Sequence, residues 1–438
     1  MFTDTIYALS TGRLPSGVAI IRLSGPHART CLIAMLGALP EPRRASLCMV
    51  RAPGGELIDQ GLALFFPAPA SFTGEDCAEL HLHGGVATVS ACLEALGGMD
   101  GLRAAEAGEF TRRAFLLGKV DLTEAEGLAD LVAAETEAQR LQALANARGG
   151  QRQIYEDWRR RLVHARAMIE AEIDFTDEGD VPGSVAESVW RDMAALSIDI
   201  EQHLARARGG EIVRSGLDVV ILGAPNAGKS SLLNALAGRD VSIVTEEAGT
   251  TRDLVEARLD IAGFRVNLVD TAGLREQAGR IEALGIAKAL DRSAECDLVL
   301  LVEDVSQPGS APAVPSETPA LRVGLKADLF GRAVSARYDA LVSAMDGSGI
   351  DELKRQIGDV AAGARGRISD VIPVRQRQAE LLRLCLLSIT EASDSRETGL
   401  EVRAEHLRLA GEALGRLTGK IDVEDLLDVI FSQFCIGK

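Results

Sequence analysis

Seven cysteines (Cys31, Cys48, Cys77, Cys92, Cys296, Cys385 and Cys435) are scattered through the 438 residues, and no two form a CxxC pair. The spacing of a zinc site or a dithiol redox centre is therefore missing, and the odd, dispersed set suits reduced thiols in a cytosol. No apolar run approaches the roughly 18–20 residues that cross a bilayer. The opening MFTDTIYALSTGRLP carries Asp4 and no long apolar core, so no secretory signal is expected. A basic excess is also lacking: 47 Lys and Arg stand against 64 Asp and Glu, a net charge of −17. Proteins that grip nucleic acid unaided rely on basic surface facing phosphates. Autonomous tight binding of tRNA or DNA is therefore not expected, although a local basic patch or a partner could supply it. No internal repeat is evident. The expectation is a cytoplasmic protein with no membrane contact.

What is present is an ordinary globular composition, 47% hydrophobic and 25% charged, with length for two to four domains at roughly 100–200 residues each. Residues 1–117 mix short β-like runs, such as 18–23 (VAIIRL) and 61–66 (GLALFF), with Gly and Pro turns, which reads as an α+β domain. From 122 to 173 the sequence turns rich in Ala, Glu, Arg and Leu, broken by Gly149-Gly150, and apolar residues recur at three- and four-residue steps. A second helix is expected over 188–207, after Pro182-Gly183. Residues 217–361 alternate strand and helix patterns, which implies a parallel sheet with crossover helices. Residues 375–436 are helical again, and 306–319 is a Pro/Ser/Ala-rich loop.

Chemistry concentrates in the alternating segment. Residues 217–222 (LDVVIL) run into 223–230 (GAPNAGKS) and then an apolar helix, the GxxxxGKS phosphate loop in its strand–loop–helix context. Backbone N–H groups of Asn226, Ala227, Gly228 and Ser231 would surround phosphate oxygens at a helix N-terminus. Lys229 would reach the β and γ phosphates, and the Ser230 hydroxyl would ligate Mg²⁺. In 248–253 (AGTTRD), Thr251 is the expected second protein ligand of Mg²⁺. Strand 264–270 ends in Asp270-Thr271-Ala272-Gly273, where Asp270 would hold Mg²⁺ through water and the Gly273 N–H would meet the γ-phosphate. The guanine-reading motif, normally Asn-Lys-x-Asp, reads Leu325-Lys326-Ala327-Asp328. Asp328 keeps the bidentate acceptor for guanine, but Leu325 cannot hydrogen-bond. Guanine affinity is expected to fall several-fold, since one such bond contributes roughly 0.5–1.5 kcal/mol. Ser343 and Ala344 fit the last base-contacting loop. Leu274 occupies the position where Ras-like enzymes place a water-orienting glutamine.

Outside this segment the sequence resembles the MnmE/TrmE family of tRNA-modification GTPases over nearly its whole length. The resemblance rests on 4–6 (DTI), 21–26 (IRLSGP), 71–76 (SFTGED), 108–115 (GEFTRRAF), 118–122 (GKVDL) and 434–438 (FCIGK). The fold expected is a multidomain α/β chain. Residues 1–117 form an N-terminal α+β domain that, by the resemblance, binds tetrahydrofolate and dimerises. Residues 118–214 and 375–438 form a discontinuous all-α helical domain, and 215–370 form a Ras-like P-loop GTPase domain inserted in it. Insertion is tolerated where chain ends lie close together.

The resemblance further implies a homodimer that joins an FAD-dependent MnmG (GidA)-type partner in a heterotetramer. Together they would install a carboxymethylaminomethyl or aminomethyl group at C5 of the wobble uridine of tRNA. A 5-formyl-tetrahydrofolate-type folate would supply the one-carbon unit. By position, Arg22, Glu79, Lys119 and Lys438 match the folate contacts, and Cys435 is either a participant in the modification or a buried structural thiol. Glu282 matches the catalytic glutamate that orients water. GTP hydrolysis would be activated by K⁺ in place of an arginine finger, with Asn226, Thr245, Glu247 and Thr250 as its ligands and Thr245, Glu246, Glu247, Ala248, Gly249 and Thr250 lining the nucleotide. His81 and His83 share one strand face, and packing histidines are favoured over a metal pair because no third ligand is near in sequence. A GTP-switched ribosome or RNA assembly factor is the alternative reading. It leaves the folate-type motifs unexplained and lacks a visible basic RNA-binding domain.

Overall fold

The computed structural model describes residues 2–174, 184–224, 226–238, 257–270, 296–309, 318–329, 337–365, 371–394, 399–421, 427, 430–432, 434 and 437. Two compact units are distinguished, residues 1–129 with 414–438, and residues 130–413.

The first unit is built on a six-stranded sheet. In chain order it comprises β1 (Thr5–Leu9), β2 (Ser16–Ser24), α1 (Ala28–Leu36), β3 (Ser46–Arg51), β4 (Leu57–Phe66), β5 (Cys77–Gly84), α2 (Val86–Gly97), β6 (Leu102–Ala104) and α3 (Glu109–Leu116), and α4 (Leu122–Ala133) follows. The sheet order is β3-β4-β5-β2-β1-β6, antiparallel except for the parallel pairing of β1 with β6. The two-residue side-chain period of β2 sends Ala19, Ile21 and Leu23 to one face. There they form a core with Ala63 and Phe65 of β4, Leu80 of β5, Leu32 and Met35 of α1, and Cys92 and Leu96 of α2. A separate cluster joins Ile6 and Ala8 of β1 to Ala105 and Phe110. Near the C-terminus, Leu427 and Phe431 pack on Leu122 and Ala125. A Cβ on Gly108, whose φ is +68°, would stand 2.4 Å from the Phe431 carbonyl oxygen. Glycine there lets the tail lie on the start of α3.

The second unit combines helices with a second sheet. α5 (Glu137–Ala147) opens with a capping box, in which the Thr136 hydroxyl accepts from the Gln139 amide while Gln139 reaches back. Gly149, at φ +81°, separates α5 from α6 (Gly150–Asp174). α6 buries Tyr155, Trp158, Leu162, Ala165 and Ile169 at helical spacing. It packs on α7 (Ser184–Leu204), the second helix expected. The helical stretch expected over 188–207 lies mostly in α7, which stops at Leu204, and α8 (Ala207–Ser215) follows. A Cβ on Gly210 would stand 2.0 Å from the Pro373 carbonyl oxygen, so α8 is seated on that backbone.

From α8 the chain enters β7 (Leu217–Gly223), then α9 (Lys229–Ala237), β8 (Ala257–Ile261), β9 (Phe264–Asp270), β10 (Leu298–Asp304), β11 (Ala320–Leu325), β12 (Ala340–Val342) and α10 (Ile350–Arg365), and α11 (Gln376–Asp394) and α12 (Leu400–Thr418) complete the unit. The sheet order is β12-β11-β10-β7-β9-β8, parallel except for the β8–β9 hairpin. Val219, Val220, Ile221 and Leu222 are all buried, as a strand covered on both faces requires. In this order β7 is central and the chain departs first to one side and then to the other. That reversal opens a crevice at the carboxyl ends of the strands.

Candidate functional site

The phosphate loop sits at that crevice. At the end of β7 a Cβ on Gly223 would lie 2.5 Å from the Val302 carbonyl oxygen, so glycine is what allows β7 to close on β10. Asn226 and Gly228 adopt left-handed backbone, with φ of 60° and 105°, a region open to glycine and tolerated by asparagine. α9 starts directly after Gly228, and no side chain caps it. Its first N–H groups stand at a helix N-terminus, the arrangement that receives an anion. Lys229 is buried, and its Nζ donates to the Gly223 and Ala224 carbonyl oxygens at 3.0 and 2.9 Å, pinning the loop across its mouth. Ala227, Leu232 and Leu236 anchor loop and helix in the core, while Ser230 and Ser231 are exposed on the first turn. A triphosphate fits this cradle chemically: backbone amides at a helix N-terminus, a lysine and a hydroxyl belong to one loop.

The neighbouring strand ends align with it. Asp270 ends β9 in register with Ile221, and Asp304 ends β10 in register with Leu325. Beyond β11, Lys326 is left-handed at φ 63°, and its Nζ meets the Asp304 carboxylate at 2.5 Å. Hydrogen bonds from Lys326, and then from Ser306, pull the Asp304 carboxyl down to about 2. Asp328 lies exposed on the single helical turn Ala327–Leu329. After β12, the buried Ser343 hydroxyl accepts from the Met345 and Asp346 amides at 3.2 and 3.4 Å, leaving Ala344 exposed. Asn226 to Ser231, Asp270, Lys326, Asp328, Ser343 and Ala344 thus all lie at or beyond the carboxyl edge of one sheet. Thr245 to Thr251, Thr271, Ala272, Gly273, Glu282, Cys435 and Lys438 lie outside the described residues.

In the first unit, Arg22 and Glu79 are direct cross-strand partners on β2 and β5. The Arg22 Nη2 donates to Glu79 Oε1 at 2.9 Å, and the His81 Nε2 meets Glu79 Oε2 at 3.1 Å. The guanidinium also faces the rings of Phe72 and Phe110, 5.8 and 5.9 Å from their centres. Lys119 lies against the same 69–74 loop that carries Phe72, donating to the Pro69 carbonyl oxygen at 3.0 Å and packing its stem near Gly74. Glu79 Oε1 accepts from both Nε and Nη2 of Arg22, whereas Oε2, beside His81, keeps a lone pair able to accept one further hydrogen bond from a ring N–H. His83 pairs instead with Asp59 at 3.0 Å, so the two histidines serve different carboxylates. Among the described residues no group of three His, Cys, Asp or Glu could hold a metal ion.

The sequence reading missed Arg113. It is fully buried, and its Nη2 donates to Asp4 Oδ1 at 2.9 Å and to Glu109 Oε1 at 3.0 Å, while its Nη1 reaches the Asp4 carbonyl and Glu75. Arg103 grips Glu109 and Asp4 from the other side. Burial pushes Glu109 up, but Arg103, the Glu106 amide and Arg113 more than offset it and hold its carboxyl below the ordinary range. Ser24 extends the network, donating to Glu75 at 2.7 Å. The motif segments 4–6, 71–76 and 108–115 therefore meet at one buried guanidinium.

Comparison with known proteins agrees with both units. A family model described as "GTP-binding protein TrmE N-terminus" matches residues 5–119, and one described as "MnmE helical domain" matches residues 122–435. A protein of Mesorhizobium japonicum named tRNA modification GTPase MnmE is 56% identical over 439 residues, 99% of this chain and 99% of its own length. Relatives of the same name from a Chelativorans species and from Brucella melitensis are 57% identical over 435 residues and 56% over 437, covering 98% and 99% of their lengths and 99% and 100% of this chain. Among solved structures, the G-domain of Methanococcus jannaschii FeoB covers 33% of this chain and 97% of its own, with 22% identity and a TM-score of 0.24. With relatives 56–57% identical over 98–99% of their own length and both family models matched in order, the chain belongs to the MnmE family of tRNA modification GTPases.

Proposed function

We propose that the chain is a Mg²⁺-dependent, K⁺-activated GTP hydrolase that acts in tRNA modification. Acting with a flavin-dependent MnmG-type partner, it builds the aminomethyl-type group at C5 of the wobble uridine from a tetrahydrofolate one-carbon unit. The observation that carries the reading is the phosphate loop, with its left-handed Asn226 and Gly228, uncapped helix and buried Lys229, in a chain of this family. In the hydrolysis, the bond between the γ-phosphorus and the β–γ bridging oxygen breaks as water attacks, giving GDP and phosphate. Lys229 and the loop amides meet the charge on the phosphate oxygens, Ser230 and Thr251 hold Mg²⁺, and Glu282 orients the water. Asn226, Thr245, Glu247 and Thr250 supply hard oxygen donors suited to K⁺. Held by these residues, the cations would supply positive charge close to the phosphates. Arg22 and Glu79, with Lys119 and Lys438, bind the folate, and two copies of the chain act as a dimer.

The test is GTP turnover in K⁺ against Na⁺, repeated with Asn226→Ala. Nucleotide affinity is measured alongside, because Ala at a left-handed backbone costs about 1–2 kcal/mol. Strong K⁺ dependence that the substitution removes is expected, and equal turnover in both salts would refute K⁺ activation. Mass spectrometry of tRNA from a deletion strain should show an unmodified wobble uridine. An unchanged tRNA profile would instead favour a GTP-switched assembly factor.

A further inference from the structure

We infer that this chain recognises guanine by one edge only: Asp328 reads the N1–H and 2-amino donors, and the N7 acceptor goes unread because the residue placed to read it is seated on the phosphate loop. The inference rests on the assignment of that loop to GTP. Leu325 closes β11, three residues before Asp328, at the position where the motif ordinarily offers an amide. Its side chain is 3% exposed and belongs to the core cluster that holds Ala227, Leu232, Val302 and Val323. Leu325 Cδ1 lies 3.2 Å from where a Cβ on Gly228 would stand, so the methyl covers the left-handed residue that precedes α9. A leucine offers neither donor nor acceptor. The next residue adds no substitute, because its left-handed backbone carries the Lys326 ammonium to Asp304, whose carboxylate also takes the Ser306 amide and hydroxyl. Position 325 is therefore a positioning contact for the phosphate loop, and selectivity among purines falls on the exposed carboxylate of Asp328.

The chemistry separates the two edges cleanly. 7-Deaza-GTP keeps the triphosphate and the N1 and 2-amino donors of GTP and replaces only N7 with C–H. Xanthosine triphosphate keeps N7 and replaces the 2-amino donor with a carbonyl. Equilibrium binding of both nucleotides and of GTP to the full chain, in Mg²⁺ and K⁺, should place 7-deaza-GTP within about twofold of GTP. Xanthosine triphosphate should bind at least about tenfold more weakly, as expected for loss of a hydrogen bond to a charged group. Leu325→Asn should create a preference for GTP over 7-deaza-GTP of about three- to tenfold, the effect of one neutral hydrogen bond. The ratio in the unaltered chain decides the matter whether or not that variant folds. A 7-deaza-GTP affinity more than about fivefold below that of GTP would overturn the inference alone. Failure of all three nucleotides to bind would overturn the GTP site and this inference with it.

Discussion

Removing the buried guanidinium of Arg113 tests whether the N-terminal motif segments form a structural knot. The group is wholly inaccessible, and two of its carboxylate partners, Glu75 and Glu109, have side chains only 10% and 9% exposed. Arg113→Ala would leave those carboxylates facing each other without the charge between them. It would also remove the donors to Asp4 and the cation that faces the Phe2 ring at 4.3 Å. Breaking a buried pair from one side costs about 3–5 kcal/mol, a hundred- to several-thousand-fold change in an opening equilibrium at about 1.4 kcal/mol per tenfold. The chain's two tryptophans, Trp158 and Trp190, both belong to the second unit, so their fluorescence would not report the change. Amide hydrogen exchange does, because it resolves opening unit by unit. Amides of β1, β2 and β5 should lose protection by that factor, while those of β7 and β10 keep theirs. Arg113→Lys should lose less, since an ammonium satisfies one or two acceptors but lacks the planar fork. The pH dependence has a definite sign. Asp4 and Glu109 are held below the ordinary carboxylate range, so their contribution is complete above about pH 5 and disappears as the pH falls through their folded values. That acid sensitivity should shrink in Arg113→Ala. Less than a tenfold change in exchange at β1, β2 and β5 would refute the reasoning.

Burial, and then the nearby Arg206, lower His203 from 6.5 to about 4. The folded form keeps it neutral beside the Tyr155 hydroxyl at 3.2 Å, so stability is complete above about pH 6.5 and should drop by up to about 3 kcal/mol as the pH approaches 4. Trp158, whose ring centre lies 5.3 Å from that of His203, reports it by fluorescence in denaturant titrations; a loss just as large in His203→Phe would refute the assignment. Lys229→Ala removes the donor to Gly223 and Ala224 and the charge facing the phosphates. Fluorescent GTP should bind about ten- to a hundredfold more weakly, and unchanged affinity would refute the placement. Asp328→Asn offers an N–H where guanine needs an acceptor. Preference should invert from GTP to xanthosine triphosphate in competition binding, and retained GTP preference would contradict the role given to Asp328. Glu282→Ala should lower turnover by about a hundredfold or more, as for a positioned acid–base group, with nucleotide affinity unchanged; a matching loss of affinity would instead assign the residue to binding.

How legible these features are in the sequence depends on how local their causes are. The phosphate loop is written in eight consecutive residues between a buried strand and an apolar helix, and the described ones among them run from the end of β7 into the start of α9. The α+β character of the first unit and the parallel sheet of the second follow from side-chain periods of two and from strand–helix alternation. The Arg113 network is the opposite case. Its partners Asp4 and Glu75 are 109 and 38 residues away, and in the sequence it is one of two adjacent arginines that look like a solvated helix face. The three-residue β6 is too short to show a period and is fixed by its parallel pairing with β1. His81 and His83 share a strand face, as the alternation implies, yet His81 meets Glu79 two residues back on its own strand, whereas His83 meets Asp59, which the fold brings from β4. The close approach of α8 to Pro373, more than 160 residues downstream of Gly210, is likewise announced by no local pattern.

The sheet edge also explains why a substitution such as Leu325 is compatible with a complete phosphate loop. Every described group expected to hold the nucleotide follows a strand end or opens α9: Lys229 after β7, Asp270 on β9, Lys326 and Asp328 after β11, Ser343 after β12. These positions are fixed by registers such as Gly223 with Val302 and Leu325 with Val342. Their geometry therefore comes from the ladder and the core beneath it, not from any single polar tie. An asparagine at 325 would join loop and base by hydrogen bonds; a leucine joins strand and loop by apolar contact with Gly228 and releases the base edge. Phosphate affinity then survives through backbone amides and Lys229, whereas base selectivity narrows to one carboxylate. The residues expected to carry out hydrolysis overlap with those expected to hold the nucleotide: Asn226 belongs to the phosphate loop and is also a candidate K⁺ ligand, while Thr245 to Thr251 and Glu282 fall in sequence between α9 and β8 and between β9 and β10. A change in the phosphate loop is therefore expected to alter binding and cleavage together.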